Sequence, residues 1–325
     1  MSEPSPAHPR AVFFTEVGPR DGLQNLALEV ATQAKVELVE RLLDCGVDQV
    51  EAASFVSPKW VPKMADAEAV LAALVASRGP AVLHRIRVLV PNQRGLERAL
   101  ACGVRHVVAN LAVTDTFNRR NLNHSVGETL AELEQMAAAA AANGCLFDVG
   151  LSVAFGCPFE GRVDHDRVAE LADRCQEIGV AEIGLADTIG VADPRQVGEM
   201  LEHLLRSGIP TEQISLHLHD TRGMGLANAL AAYEIGVRRF EGSVGGIGGC
   251  PFAPRATGNV CSEDLLYMLQ RVGATLACDV SALCRAAEQL EQIIGERLPG
   301  RLYLAGLWPN PKEAPVADPR GHGLA

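Results

Sequence analysis

The stretch "DRVAELADRCQEIGVAEIGLAD" (residues 166–187) decides how the fold is read. Its first half carries apolar residues at i, i+3, i+4 and i+7, the spacing of an amphipathic helix. Gly179 ends that pattern. Glycine suits the residue after a helix because it takes the left-handed conformation without a Cβ clash. The short apolar run "VAEIGLAD" (180–187) that follows reads as a buried strand.

The same punctuation recurs along the chain. Gly46, Gly79, Gly103, Gly144, Gly208, Gly236 and Gly273 each follow a helical pattern, and with Gly179 they are spaced by 24 to 41 residues. Seven further candidate strands are "AVFFTEV" (11–17), "VDQVEAASF" (47–55), "IRVLV" (86–90), "VRHVVANLAV" (104–113), "LFDVGLSVAF" (146–155), "QISLHLH" (213–219) and "RRFEGSV" (238–244). Eight strand–helix units in one chain predict an α/β fold, a (β/α)₈ TIM barrel. An open doubly wound sheet is the alternative. "DVSALCRAAEQLEQIIGERL" (279–298) predicts an extra C-terminal helix packed on the barrel. We therefore expect a disordered leader over 1–10, one catalytic domain with its helical appendage over 11–300, and a C-terminal tail over 301–325.

Composition narrows the function. The 325-residue chain has a net charge of −11 and no basic stripe to offset it, which argues against nucleic-acid or anionic-membrane partners. Nine cysteines, with no C-x-x-C pair, favour a reducing compartment. Cys45, Cys102 and Cys175 lie in helical patterns and read as small core residues. "MSEPSPAHPR" lacks the apolar core of a signal peptide and the Arg-rich pattern of a transit peptide. No apolar run approaches the length of a membrane span. A soluble cytoplasmic protein is expected.

In such barrels the working face lies at the C-terminal ends of the strands. The first strand runs into "EVGPRDGLQN", placing Arg20 and Asp21 in a turn made by Gly18, Pro19 and Gly22. P-R-D-G is also ordinary turn chemistry. Glu51 interrupts an otherwise apolar second strand, and a buried glutamate needs a partner such as Arg20. In "ISLHLHDT", His217 and His219 are two apart, so strand periodicity puts both on one face, with Leu216 and Leu218 on the other. Two imidazoles facing a barrel mouth make sense as ligands of one metal ion. Asp21 and Asn259, from neighbouring strand ends, could complete the set. One carboxylate, two imidazoles and an amide favour Mg²⁺ or Mn²⁺ over structural zinc. Asp187, ending the sixth strand, could orient a histidine, act as a base, or simply cap the next turn.

The glycine-rich run 245–249 lacks the G-x-G-x-x-G spacing of a dinucleotide site, and no G-K-[ST] follows it. With "SFVSPKWVPKMAD" (54–66), "GCPFEG" (156–161), "ADTIGV" (186–191), "HLHDTRG" (217–223) and "GGIGGCPFAPRATGN" (245–259) added to "EVGPRDGLQN", the chain resembles the 3-hydroxy-3-methylglutaryl-CoA (HMG-CoA) lyases. These belong to the metal-dependent barrel lyases and Claisen synthases, and the likeness covers roughly residues 11 to 300. It implies that Asp21, His217, His219 and Asn259 bind a divalent cation, Mg²⁺ or Mn²⁺. It also implies that Arg20, Glu51, Asp187, His217 and Cys250 act around that cation. The implied reaction is retro-Claisen cleavage of HMG-CoA to acetoacetate and acetyl-CoA, a step of leucine degradation. Asp187 or His217 would be the base, and Cys250 the acid that protonates the enolate. A small-molecule acyl-CoA partner is implied, and a homo-oligomer, dimer or larger, is expected. Lys59, Lys63, Arg119 and Arg120 are candidates for the CoA phosphates, though each also suits a solvated surface. Three alternatives stand beside this reading. They are a lyase for a longer branched 3-hydroxyglutaryl-CoA, a Claisen synthase using a 2-oxo acid, and a non-catalytic metal- or CoA-binding barrel.

Overall fold

A computed structural model of the chain describes residues 11–249 and 258–308. Eight parallel strands close into a barrel in chain order, with the last beside the first. They are β1 (Phe13–Glu16), β2 (Gln49–Ser54), β3 (Ile86–Leu89), β4 (His106–Ala112), β5 (Leu146–Ser152), β6 (Ile183–Asp187), β7 (Ile214–Leu218) and β8 (Arg239–Gly242). Each lies inside the run expected to hold it, and the closed ring excludes the open-sheet alternative. Residues 1–10 and most of the expected tail lie outside the described residues, as does Cys250.

Period-two alternation sorts the barrel into two chemistries. One set of side chains, including Val50, Ile86, Phe147, Leu216 and Phe240, is buried in the apolar core with the helices. The other set, including Glu51, Arg87, Asp148, His217 and Glu241, is linked within itself by hydrogen bonds and ion pairs and fills the interior. The helices that cover the outside follow the usual sequence rules. In Pro194–Arg206, Asp193 accepts the Gln196 N–H at 2.9 Å, proline occupies the first turn, and Val197, Met200, Leu201 and Leu204 form the buried stripe.

All eight helix-stop glycines have positive φ, from 61° to 122°. At Gly46, φ is 85° and an added Cβ would sit 2.8 Å from the Ala277 carbonyl oxygen, so both backbone and space require glycine. The appended helix is present as Val280–Ile294, started by Asp279 and buried through Leu283, Ala287 and Leu290. The described residues continue past 300, to 308. A short helix, Leu302–Ala305, buries Leu302 and Tyr303, and the Tyr303 hydroxyl donates to Glu291. Tyrosine can bury its ring while its hydroxyl finds a carboxylate, which is what anchors this segment.

Cys45 and Cys175 are buried and Cys102 partly so. Burial pushes the thiols of Cys45 and Cys175 up, to about 11 and about 12, in keeping with inert core groups. Among the described residues, no helix is long and apolar enough to cross a membrane.

Two buried carboxylates anchor the start of the glycine-rich segment. Glu16, at the end of β1, accepts N–H from Gly18 at 2.8 Å and Val244 at 2.9 Å, and the Ser262 hydroxyl at 2.5 Å. Glu263 accepts the Gly245 N–H at 3.1 Å. Burial outweighs these bonds and raises Glu16 to about 8 and Glu263 to about 7. The folded chain therefore holds protons that the unfolded chain, near 4.5, has already released. Stability with respect to these two groups should be fullest below about 4.5 and fall as pH rises from there, until about 7 for Glu263 and about 8 for Glu16. The slope is on the order of 1 kcal/mol per pH unit for each. Asp21 and Glu241 are shifted down and act only on the acid side. Urea unfolding at pH 6 and 8.5 should show the weaker fold at 8.5, with the slope reduced in Glu16→Gln. A fold that strengthens over that interval contradicts this reading.

Candidate active site

After β1 the chain makes one wide turn, Gly18–Gly22, in which Arg20 is buried and Asp21 nearly so. The Arg20 Nη1 donates to Asp21 Oδ1 at 2.6 Å, and its Nε donates to Glu51. The partner expected for the buried Glu51 is thus Arg20. Burial opposes charge on Arg20, but Glu51 and Asp21 outweigh it and hold the guanidinium protonated.

His217 and His219 share the inner face at the end of β7, with ring centroids 5.3 Å apart and Nε2 atoms 3.3 Å apart. Asp21 Oδ2 lies 3.8 Å from His217 Nε2. Asn259 reaches this group because Gly258–Cys261 threads between the ends of β7 and β8. Val260 N–H donates to the Leu218 carbonyl at 2.8 Å, and Ser243 N–H to the Val260 carbonyl at 3.0 Å. Gly258 allows the crossing, since a Cβ there would lie 2.6 Å from the Gly246 carbonyl oxygen. Asn259 Nδ2 then donates to Asp21 Oδ2 at 2.9 Å. Arg20, Asp21, His217 and His219 face a cavity of about 860 Å³ at the strand ends, lined also by Glu51, Arg87 and Glu241 and running inward to Asp148 and Ser215.

The donor set fits a divalent cation. One ligand atom from each of Asp21, His217 and His219 lies within 4.8 Å of the others. Asn259 Oδ1 and His219 Nδ1 are buried and have no hydrogen-bond partner among the described residues. Burial, with His217 beside it, lowers His219 to about 4, so it presents the neutral imidazole that metals bind. Burial raises Asp21 less than Arg20, His217 and His219 lower it, leaving a carboxylate. Hard oxygen and imidazole donors with no thiolate suit a hard divalent ion.

The structure refines three expectations. His217 was expected both to bind metal and to act as base. Its Nδ1 is 2.8 Å from Glu241 Oε2, so only Nε2 faces the site and it can serve one role at a time. Asp187 ends β6, but its carboxylate accepts N–H from Val191 at 2.9 Å and Ala192 at 3.0 Å and is not among the residues that line the cavity. Burial outweighs those bonds and raises its pKa. Among the phosphate candidates, Lys63 donates to the Leu26 carbonyl instead, and Lys59 lies 5.6 Å over the Trp60 ring. Arg119 and Arg120 line the cavity, with Arg120 4.2 Å over the Phe159 ring.

Sequence reasoning missed Arg87 and Glu241. Arg87 donates to Glu51 at 2.8 Å and to Glu241, tying β2, β3 and β8 together across the interior. The signal was the one that marked Glu51, a charged residue within an apolar strand. It stands in "IRVLV" and in "RRFEGSV".

Fold, cavity and ligand cluster together fit a barrel enzyme with a metal site at its strand ends. A family profile described as HMGL-like matches residues 11–290. The chain belongs to that family. It is 44% identical over 302 residues to a protein of Chloroflexus aurantiacus named (R)-citramalyl-CoA lyase, covering 91% of this chain and 95% of the relative. It is 40% identical to the Bacillus subtilis hydroxymethylglutaryl-CoA lyase YngG, covering 90% and 97%. Among solved structures, an HMG-CoA lyase from Acinetobacter baumannii in complex with coenzyme A and 3-methylmalate superposes with a TM-score of 0.87. It is 36% identical, over 95% of this chain and 98% of that one.

Proposed function

We propose that the protein cleaves HMG-CoA to acetoacetate and acetyl-CoA. The observation that carries the reading is the convergence of Asp21, His217 and His219 beside the buried Arg20–Glu51 pair in one cavity. The substrate loses the proton of its tertiary hydroxyl, and the bond between that carbon and the thioester's α-carbon breaks. The carbinol carbon becomes the ketone of acetoacetate, and the electron pair passes to the acetyl-CoA enolate, which is then protonated. A divalent cation held by Asp21, His217, His219 and Asn259 would supply Lewis acidity to the hydroxyl and carboxylate oxygens.

Arg20 is assigned the thioester oxygen, where negative charge grows, with Glu51 fixing the guanidinium. Since His217 has only Nε2 to offer and spends it as a ligand, Asp187 is the proposed base; its carboxylate does not line the cavity and must turn from the Val191 and Ala192 amides to take the proton. Cys250 is assigned the enolate's proton, because an ordinary thiol near 8.5 is protonated at neutral pH and releases its proton readily. Its position lies outside the described residues.

The 44% identity to the Chloroflexus protein favours a second reading, cleavage of (R)-citramalyl-CoA. That thioester has the same tertiary alcohol β to the carbonyl but one methylene fewer before the free carboxylate. The same bond break would release pyruvate in place of acetoacetate. Incubating the purified protein with each thioester separates them by product. Acetoacetate formed at the higher kcat/KM supports the first reading, and pyruvate the second. Cys250→Ala should lose turnover with either substrate and keep its metal, whereas wild-type turnover removes Cys250 from the mechanism.

A further inference from the structure

We propose that Glu241 and Arg87 form a buried positioning pair that fixes which nitrogen of His217 faces the metal site and ties that histidine to Arg20. The proposal rests on the metal-dependent reading of the site.

Strand register explains how the pair is built. His217 and Glu241 are direct neighbours on β7 and β8, and Glu51 and Arg87 are direct neighbours on β2 and β3. Each neighbour pair makes a local bond, His217 Nδ1 to Glu241 Oε2 at 2.8 Å and Arg87 Nε to Glu51 Oε2 at 2.8 Å. The bond from Arg87 Nη2 to Glu241 Oε1 then crosses the barrel and joins the two. With Arg20 bonded to both Glu51 and Asp21, the charges of Asp21, Arg20, Glu51, Arg87 and Glu241 alternate in one chain, which ends on the His217 imidazole. Arg87 is 2% exposed and Glu51 is fully buried, so solvent does not compete for these bonds.

The chemistry follows from donor counting. Glu241 is an acceptor, so His217 must place its ring proton on Nδ1, which leaves the lone pair on Nε2, 3.3 Å from His219 Nε2 and 3.8 Å from Asp21 Oδ2. A carboxylate that takes the far ring proton of a ligating histidine fixes its tautomer and orientation, and losing it commonly costs about 10–100-fold in metal affinity. Glu241 would itself be free to rotate without Arg87, whose fork holds Oε1 while Oε2 faces the imidazole.

The test is Mn²⁺ binding by the full chain, read from the electron paramagnetic resonance signal of free Mn²⁺, with thermal melts as a control for folding. Wild-type protein should bind Mn²⁺, and wild type that binds none sinks the metal-dependent reading itself. Given wild-type binding, Glu241→Ala should weaken it about 10–100-fold. Glu241→Gln, which can still accept the Nδ1 proton, should recover most of that loss. A structural role alone would lower the melting temperature and leave the affinity of the folded protein unchanged. Wild-type affinity in folded Glu241→Ala overturns the proposal, as does a Gln variant as weak as Ala. If the Ala variant does not fold, Glu241→Asp decides. It keeps charge for Arg87 but withdraws the acceptor from Nδ1, so weakened binding supports the pair and wild-type binding overturns it.

Discussion

The His219→Ala protein is expected to fold as the wild type does, to lose Mn²⁺ binding by on the order of 10²-fold or more, and to show no measurable thioester cleavage. His219 performs no structural duty that would mask the effect. Its Nδ1 has no hydrogen-bond partner among the described residues, and its Nε2 faces the other candidate ligands, 3.3 Å from His217 Nε2. Burial keeps the imidazole neutral, so no ion pair is broken on removal. The side chain is 4% exposed, and truncation leaves a hole that opens onto an existing cavity. Metal titration by calorimetry and a thioester assay on the same preparation check it. A variant that retains wild-type Mn²⁺ affinity would remove His219 from the ligand set.

Arg20→Gln is the second large effect. Turnover should fall by about 10²–10³ with KM little changed, the pattern expected when a donor is lost that matters most as charge builds on the thioester oxygen. Removing one partner of a buried pair usually destabilises strongly because the other is stranded. Here Glu51 keeps Arg87 at 2.5 Å, so the loss of stability should be modest and the kinetic effect should dominate. Arg20→Lys should not rescue turnover. One ammonium cannot reproduce the fork that gives Nε to Glu51 and Nη1 to Asp21 at the same time. Steady-state kinetics of both variants decide this, and near-wild-type kcat in Arg20→Gln would assign the thioester oxygen to another group.

The fold was legible because its signals are local. Each strand–helix unit ends at a glycine whose φ is positive, and the alternation at His217 and His219 needs only a strand to place both rings on one face. Asp21, His217 and His219 were legible for the same reason, each standing at the end of a strand or just after one, whereas Asn259 lies well past β8 and joins them through the crossing between the ends of β7 and β8. The part that escaped is non-local. Arg87 and Glu241 are 154 residues apart, and their bond exists only once eight strands have closed with the observed register. Asp187 shows the opposite limit. Its place at the end of β6 was readable, but whether its carboxylate turned to the cavity or to the amides of Val191 and Ala192 depended on the loop that follows. The packing of the segment after residue 300 is non-local too, since Tyr303 is anchored by Glu291 from a separate helix.

The central claim is that this barrel breaks a carbon–carbon bond in a 3-hydroxyacyl-CoA with a divalent cation at Asp21, His217, His219 and Asn259. The most direct measurement follows acetoacetate release from HMG-CoA by the chelator-stripped protein, before and after adding Mg²⁺ or Mn²⁺. The account predicts no turnover until the cation is restored, and turnover on restoring it. Equal turnover in the stripped and restored protein would contradict it, as would the absence of both acetoacetate from HMG-CoA and pyruvate from (R)-citramalyl-CoA with either ion.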